Sequence, residues 1–250
     1  MSISPFERRT ALLLGQQGIE ALHQAHVILF GVGGVGGYVA EALARSGVGR
    51  LTLVDDDTIA PSNVNRQLIA LTTTVGQNKV EAARQRILAI NPECQVETVQ
   101  LFYTPETAHL VEFAGASYVV DAVDTVSAKL EIIGRAYKAG VPVISSMGTG
   151  NKLHPELLTL TTIEKTTGCP LARVMRRECK VRGYKKVPVV YSPEKPCTPI
   201  ALNDEGEALA GGGLRPGNPK KQTPGSVSFV PGAAGLIIAG KVVRDLTGQD

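Results

Sequence analysis

The feature that most constrains this chain is the run Gly31-Val32-Gly33-Gly34-Val35-Gly36-Gly37, together with what stands on either side of it. Before it, His26-Val27-Ile28-Leu29-Phe30 is a short continuous apolar run, the pattern of a buried parallel strand. After it, Val35, Val39, Leu43 and Val48 share one side of a helix whose other side carries Glu41 and Arg45. A second apolar run, Arg50 to Val54, then ends in Asp55-Asp56-Asp57. Strand, glycine turn, helix, strand and terminal acid form a nucleotide-binding βαβ unit. The glycines permit a tight turn and close backbone approach, and the helix N-terminus offers N–H groups and a positive dipole to a phosphate. Asp55 stands where a carboxylate can accept from ribose hydroxyls. A nicotinamide or flavin dinucleotide and ATP are both compatible with these residues.

The rest of the chain extends the alternation. An amphipathic helix is expected over Thr10–His23, with Leu13, Leu14 and Leu22 among its apolar positions. Thr58–Thr74 reads as irregular with one short helix. Lys79–Ile90 has helical periodicity and stops at Asn91-Pro92, and Val96–Leu101 alternates like a strand. Thr104-Pro105-Glu106 has the look of a helix start. Tyr118–Asp121 is a buried strand, Val126–Ala139 a helix, and Val141–Ser146 the next strand. The expected fold is α/β: a Rossmann-like, doubly wound, mostly parallel sheet with helices on both faces. Strands expected at Leu157–Ile163 and Val187–Tyr191 would extend that sheet toward the C-terminus. We divide the single domain into a nucleotide-binding core (1–150), a basic substrate-binding region (151–226) and a closing helix (227–250). Residues 203–226, rich in Gly, Pro and Lys, read as a mobile loop.

Charge separates the core from the region C-terminal to it. Residues 1–150 hold 11 Lys+Arg against 14 Asp+Glu, whereas residues 151–226 hold 13 against 7. The excess concentrates in the helix opened by Cys169-Pro170, where Arg173, Arg176, Arg177 and Lys180 are candidate contacts to a polyanion. Val227–Val243, the longest apolar stretch, is broken by Pro and Gly, and the N-terminus has no basic-then-apolar leader, so a cytoplasmic protein without a membrane span is expected. Cys94, Cys169, Cys179 and Cys197 form no Cys-x-x-Cys pair, which argues against a zinc site of common spacing.

A redox Rossmann domain has no need of several further features. Asn63-Val64-Asn65-Arg66-Gln67 comes after Asp55, Gly76-Gln77-Asn78-Lys79 opens a helix, and Asp121-Ala122-Val123-Asp124 closes a strand at the ligand-binding edge of the sheet. Arg66 and Lys79 suit the β- and γ-phosphates of a triphosphate, and Asp124 suits Mg²⁺. There is no Gly-x-x-x-x-Gly-Lys-Ser/Thr, so a P-loop is excluded.

As a set, Gly31-x-Gly33-Gly34-x-Gly36, Asp55, Asn63-x-x-Arg66-Gln67, Gly76-x-x-Lys79 and Asp121-x-x-Asp124 resemble the adenylating superfamily of ubiquitin-activating enzymes, ThiF and MoeB. That resemblance implies ATP-dependent conversion of a carboxylate to an acyl-adenylate. Asp55 would bind ribose, Asn63, Arg66 and Lys79 the phosphates, and Asp124 the Mg²⁺. Arg9 (or Arg8) would reach the triphosphate of a neighbouring subunit, so a homodimer is implied. A monovalent cation near the glycine-rich end of the sheet is implied by resemblance alone.

Asn65-Arg66-Gln67-Leu68-Ile69-Ala70-Leu71, Ile90-Asn91-Pro92-Glu93-Cys94, Lys165-Thr166-x-x-Cys169-Pro170-Leu171-Ala172 and Phe229-Val230-Pro231-x-x-Ala234-Gly235 are similar to the tRNA threonylcarbamoyladenosine dehydratases within that superfamily. The implied reaction is ATP-dependent cyclisation of threonylcarbamoyladenosine at tRNA position 37. Relatives of this kind are linked to a cysteine-desulfurase system. Activation of the C-terminal glycine of a ubiquitin-like sulfur carrier is the alternative. One position departs from the pattern: Cys169 stands where an Asp commonly precedes Pro-Leu-Ala, and we read it as a neutral swap.

Overall fold

The computed structural model describes residues 3–200 and 224–249. Seven strands form one sheet in the order β3-β2-β1-β4-β5-β7-β6. The strands are β1 (His26–Phe30), β2 (Arg50–Val54), β3 (Gln95–Val99), β4 (Tyr118–Asp121), β5 (Val143–Ser146), β6 (Thr159–Thr162) and β7 (Pro188–Tyr191). Every pairing is parallel except that of β6 with β7, so the C-terminal extension of the sheet ends in an antiparallel edge. The sequence reverses direction at β1, where β2 lies on one side and β4 on the other. This is the topological switch point, and the crevice above it is where open α/β sheets bind ligands.

Strand alternation sends side chains into two cores. Val27 and Leu29 of β1 join one cluster with α1 (Arg8–Gln24), α2 (Gly36–Arg45), α3 (Lys79–Ile90) and α6 (Phe229–Thr247). Ile28 and Phe30 point the other way, into a cluster with α4 (Val126–Ala139) and α5 (Pro170–Arg182). Both faces of the central strands are therefore dry, which is why those strands read as unbroken apolar runs.

Two local expectations are corrected. The Thr104-Pro105-Glu106 start leads to turns and one 3₁₀ turn at Ala108–Leu110, not to an α-helix. Pro105 satisfies the first-turn preference, but the chain is already extended at Val111 (φ −119°, ψ 114°), and Ala108, Val111 and Phe113 reach the core without a longer helix. Helix α1 is broken at Gly15 (φ 70°), so its first part does not share a face with its second. Leu22 is fully buried while Leu13 is 82% exposed, against the expectation that both lie on the core face. Finally, residues 203–223 of the expected mobile loop lie outside the described residues, and 224–226 are held in place. Gly225 donates to Asn151 Oδ1 at 2.6 Å, and Asn65 Nδ2 donates to the Ser226 carbonyl at 2.9 Å.

Candidate active site

A cavity of about 490 Å³ opens over the C-terminal ends of β1, β2, β4 and β5. Its base is the turn after β1. Gly31 has φ +84°, and a Cβ there would lie 2.7 Å from the Ala122 carbonyl oxygen. A Cβ on Gly36 would lie 1.8 Å from the Gly31 carbonyl oxygen. Both positions demand glycine, one for its backbone angle and one so that α2 can press against the turn. Gly31, Gly33 and Gly34 line the cavity, whereas Gly36 acts from beneath it.

Asp55 closes the turn from the side. One carboxylate oxygen accepts from the Val32 N–H at 2.6 Å and the other from the Asp57 N–H at 3.0 Å. A carboxylate offers about four lone-pair directions, so acceptor capacity remains for ribose hydroxyls. Burial pushes the Asp55 carboxyl above its ordinary value, although Lys79 and the Val32 N–H pull the other way. Lys79, the first residue of α3, is 5% exposed; its Nζ lies 2.6 Å from Asp57 Oδ2 and 4.0 Å from Asp55 Oδ1. The Lys79 backbone N–H also bonds the Asp57 carbonyl at 3.0 Å, which pins the start of α3 beside the acids.

The segment after Asp57 brings the next motif over the turn. Asn63 accepts at its carbonyl from the N–H groups of Arg66 and Gln67 (3.1 and 2.9 Å), and at Oδ1 from the Ala60 N–H (3.0 Å). That tight coil puts Asn63, Arg66 and Gln67 on one wall of the cavity. Arg66 Nη1 rests on the Ser62 carbonyl (2.8 Å) and Asn65 Oδ1 (2.9 Å), neutral acceptors that a phosphate could replace. Asp124 lies on the opposite wall, exposed, bonded at 3.3 Å by the Thr125 hydroxyl.

Arg9 and Arg8 sit exposed at the start of α1 and do not line the cavity. The basic group on α5 is divided. Arg173, Arg177 and Lys180 are exposed, but Arg176 turns inward, where Nη1 donates to the Thr166 carbonyl and hydroxyl oxygen (2.5 and 2.8 Å). Arg176 thus fastens α5 to the segment before it, which corrects its placement among freely exposed cations. Cys94, Cys169 and Cys179 are buried, and burial pushes the thiols of Cys94 and Cys179 up to about 11. Cys169 occupies the N-cap of α5 without a side-chain cap bond.

Four features had escaped sequence reasoning. Lys129 is fully buried in α4 and pairs with Asp121, donating at 3.0 and 3.2 Å, and it also donates to the Ser146 carbonyl at 2.6 Å. Gln67 is 7% exposed, and its Oε1 has no partner among the described residues. Tyr103 packs edge-on against Phe30 at the far end of the cavity, its hydroxyl likewise without a partner there. Asn151, at φ 58°, ties residues 151, 197 and 225 together on the rim. Only Gln67 carried a signal, through the Asn63-x-x-Arg66-Gln67 motif.

These residues fit a nucleoside triphosphate with Mg²⁺. A Cβ added to Gly33 would meet nothing closer than Gln67 Nε2 at 3.7 Å, so a ligand can approach the backbone closely there. The orphaned Gln67 Oε1 is a buried acceptor awaiting a donor. The exposed carboxylates of Asp56, Asp57 and Asp124 line the cavity, and Asp124 suits Mg²⁺, which is bound through one or two carboxylates plus phosphate oxygens.

The ThiF family model matches residues 6–250. The tRNA threonylcarbamoyladenosine dehydratase of Bacillus subtilis is 44% identical over 239 residues, covering 95% of this chain and 93% of that protein. The Escherichia coli protein of the same name is 39% identical over 68% of this chain and 64% of its own length. The crystal structure of E. coli tRNA N6-threonylcarbamoyladenosine dehydratase in complex with ATP superimposes with a TM-score of 0.83 at 31% identity, covering 100% of this chain and 98% of that one.

Proposed function

The chain belongs to the ThiF family, and from that premise we propose that it uses ATP to dehydrate threonylcarbamoyladenosine at position 37 of tRNA. The observation that carries this reading is the convergence of Asp55, Asn63, Arg66, Gln67, Lys79 and Asp124 on one cavity at the switch point of the sheet. Likeness over nearly the whole chain to a named dehydratase supports the choice of substrate.

In the reaction, the threonyl carboxylate attacks the α-phosphorus of ATP and pyrophosphate leaves. Asp55 would hold the ribose, and the glycine turn at Gly33 and Gly34 lines the cavity where the phosphates would lie. Arg66 and Lys79, exchanging their present partners for phosphate oxygens, offset charge on the phosphoryl group and on the departing pyrophosphate. Mg²⁺ held by Asp124 would supply further charge neutralisation across the phosphates. The acyl-adenylate then carries a good leaving group. An atom of the same ureido substituent attacks the acyl carbon and AMP departs, so the substrate supplies its own nucleophile and no enzyme thiol is required. The burial of Cys94, Cys169 and Cys179 is compatible with that.

The exposed cations Arg173, Arg177 and Lys180 would face the tRNA backbone and give salt-sensitive affinity. Arg9 does not line the nucleotide cavity of its own chain, and Leu12 and Leu13 beside it are 85% and 82% exposed, which supports a homodimer in which Arg9 serves the partner's triphosphate. Among the described residues no helix is long and apolar enough to cross a membrane, and a tRNA substrate supports a cytoplasmic location. A cysteine-desulfurase system stays a family-based proposal for a partner.

The test is mass spectrometry of tRNA nucleosides after incubation with protein, ATP, Mg²⁺ and K⁺. Loss of one water from threonylcarbamoyladenosine, abolished by Asp124→Ala, is the expected result. No mass change, with AMP formed once a carrier protein ending in Gly-Gly is added, would replace this reading with sulfur-carrier activation.

A further inference from the structure

A second cavity, of about 470 Å³, lies between α4 and α5. Val126 and Leu130 of α4, Val174 of α5 and Tyr184 beyond it give the cavity an apolar floor. Arg177 and Arg182 stand on the α5 rim, each paired with Glu178 (2.9 and 2.7 Å). The two cavities adjoin along both helices. Thr125 and Ala128 line the first while Val126 and Leu130 line the second; Leu171 lines the first and Val174, one turn on, lines the second.

We propose that this groove seats an unstacked base of the RNA strand next to the modified adenosine, with the flanking phosphates on Arg177 and Arg182. The inference rests on the tRNA reading above. A partly exposed apolar floor, with Val126, Val174 and Tyr184 around the buried Leu130, beside guanidinium groups can take the face of an unstacked base while the cations track the backbone. The side chains of Arg177 and Arg182 are 73% and 40% exposed, so their pairs with Glu178 are weak and exchangeable for phosphate. Glu131 faces the groove from α4 and repels phosphate from that wall, which places the backbone along α5. Arg173 and Lys180 are exposed on the same helix, and Lys185 and Lys186 lie just beyond it, continuing the positive track past the groove. Because the linings of the two cavities alternate along α4 and α5, a nucleotide next to one held in the first cavity has the second within reach.

The experiment compares wild type, Val174→Glu and Arg182→Ala in steady-state dehydration of tRNA, with thermal melts as the folding control. Val174, at 36% exposure, tolerates a longer polar side chain, yet a carboxylate there opposes both base and phosphate. The expected result is a rise of at least about tenfold in the tRNA KM for Val174→Glu, with the ATP KM and Tm unchanged. Arg182→Ala should raise the tRNA KM a few-fold and lower the salt slope by about one; it carries the test if Val174→Glu melts early. In wild type, 4-thiouridine placed beside the modified adenosine should crosslink to the α5 peptide. Active variants with an unchanged tRNA KM, or a crosslink that avoids α4 and α5, would overturn the subsite and leave the dehydratase reading standing. Loss of a protein partner's binding with the tRNA KM unchanged would likewise overturn it and give the groove to a protein. A wild-type protein that produces no dehydration removes the reading itself, and the subsite with it.

Discussion

Two aspartate–lysine pairs flank β1, and their chemistry is the same while their surroundings are opposite. At the end of β4, Asp121 meets Lys129 from the first turn of α4, and both side chains are 0% exposed. After β2, Asp57 meets Lys79 from the start of α3, with the lysine 6% and the acid 63% exposed. In the sealed pair each charge is surrounded by partners. Ser145 Oγ donates to Asp121 at 2.5 Å and the Val123 N–H at 3.2 Å, while Lys129 reaches the Ser146 carbonyl. The loops that leave β4 and β5 are thereby braced, and those loops carry Asp124 and Gly148 to the cavity. In the open pair Lys79 holds an exposed carboxylate that phosphate oxygens could displace. The difference teaches that a lysine near a nucleotide cavity is not thereby a ligand; access of its ammonium to the cavity decides.

The largest effect that would test this contrast is on stability. Lys129→Met leaves Asp121 charged and sealed without a counter-ion, and should destabilise the protein by about 3–5 kcal/mol. For a chain of this size that is a fall in Tm of roughly 6–20 °C. An unchanged melt would erase the distinction between the two pairs. Lys79→Ala should do the reverse, cutting single-turnover AMP formation by about 10²–10³-fold with a smaller fall in the melt than Lys129→Met, because Asp57 is solvated and Asp55 lies 4.0 Å away; an equal fall would make Lys79 structural too.

The same logic separates two neighbours on α5. Arg176→Ala removes two bonds to Thr166 and should cost about 1–3 kcal/mol, whereas Arg177→Ala should leave the melt within about 0.5 kcal/mol and weaken tRNA binding instead. Urea melts and a filter-binding titration read the two outcomes, and a double mutant at both positions would blur them.

The smallest effect is on pH dependence. Burial raises the Asp55 carboxyl, so the folded chain holds that proton more tightly than the unfolded chain does. The stability tied to it is complete below the ordinary carboxylate value and is lost as pH rises through the raised one. Asp55→Asn should therefore melt slightly higher than wild type at neutral pH, lose that advantage on acidification, and bind ATP more weakly. A lower melt at pH 7 would mean that Lys79 outweighs burial.

Much of the frame was legible in the residues. β1, β2, β4, α3 and α4 begin and end where their periodicity places them, because central parallel strands must be apolar on both faces and helices must present a stripe. The glycine turn, Asp55, Asn63, Arg66, Lys79 and Asp124 were legible as a set because they stand in or beside the loops that leave β1, β2 and β4 at one edge of the sheet. Less was legible where a residue's role depends on a distant surface. Arg176 looks like its neighbours in a basic run, and only its contact with Thr166, ten residues earlier, sets it apart. Leu13 has the pattern of a core residue, but the break at Gly15 rotates it to solvent.

The sequence by itself therefore determined the alternation of strands and helices, the glycine turn and the polar groups that follow the strands, since local periodicity and glycine sterics act over a few residues. Which lysine faces the cavity, which arginine anchors α5, and where a second groove opens beside the first were decided by the packing of α4 and α5 against the sheet. Burial sets the cost of a charge and the availability of its partner, and burial exists only once the chain is folded.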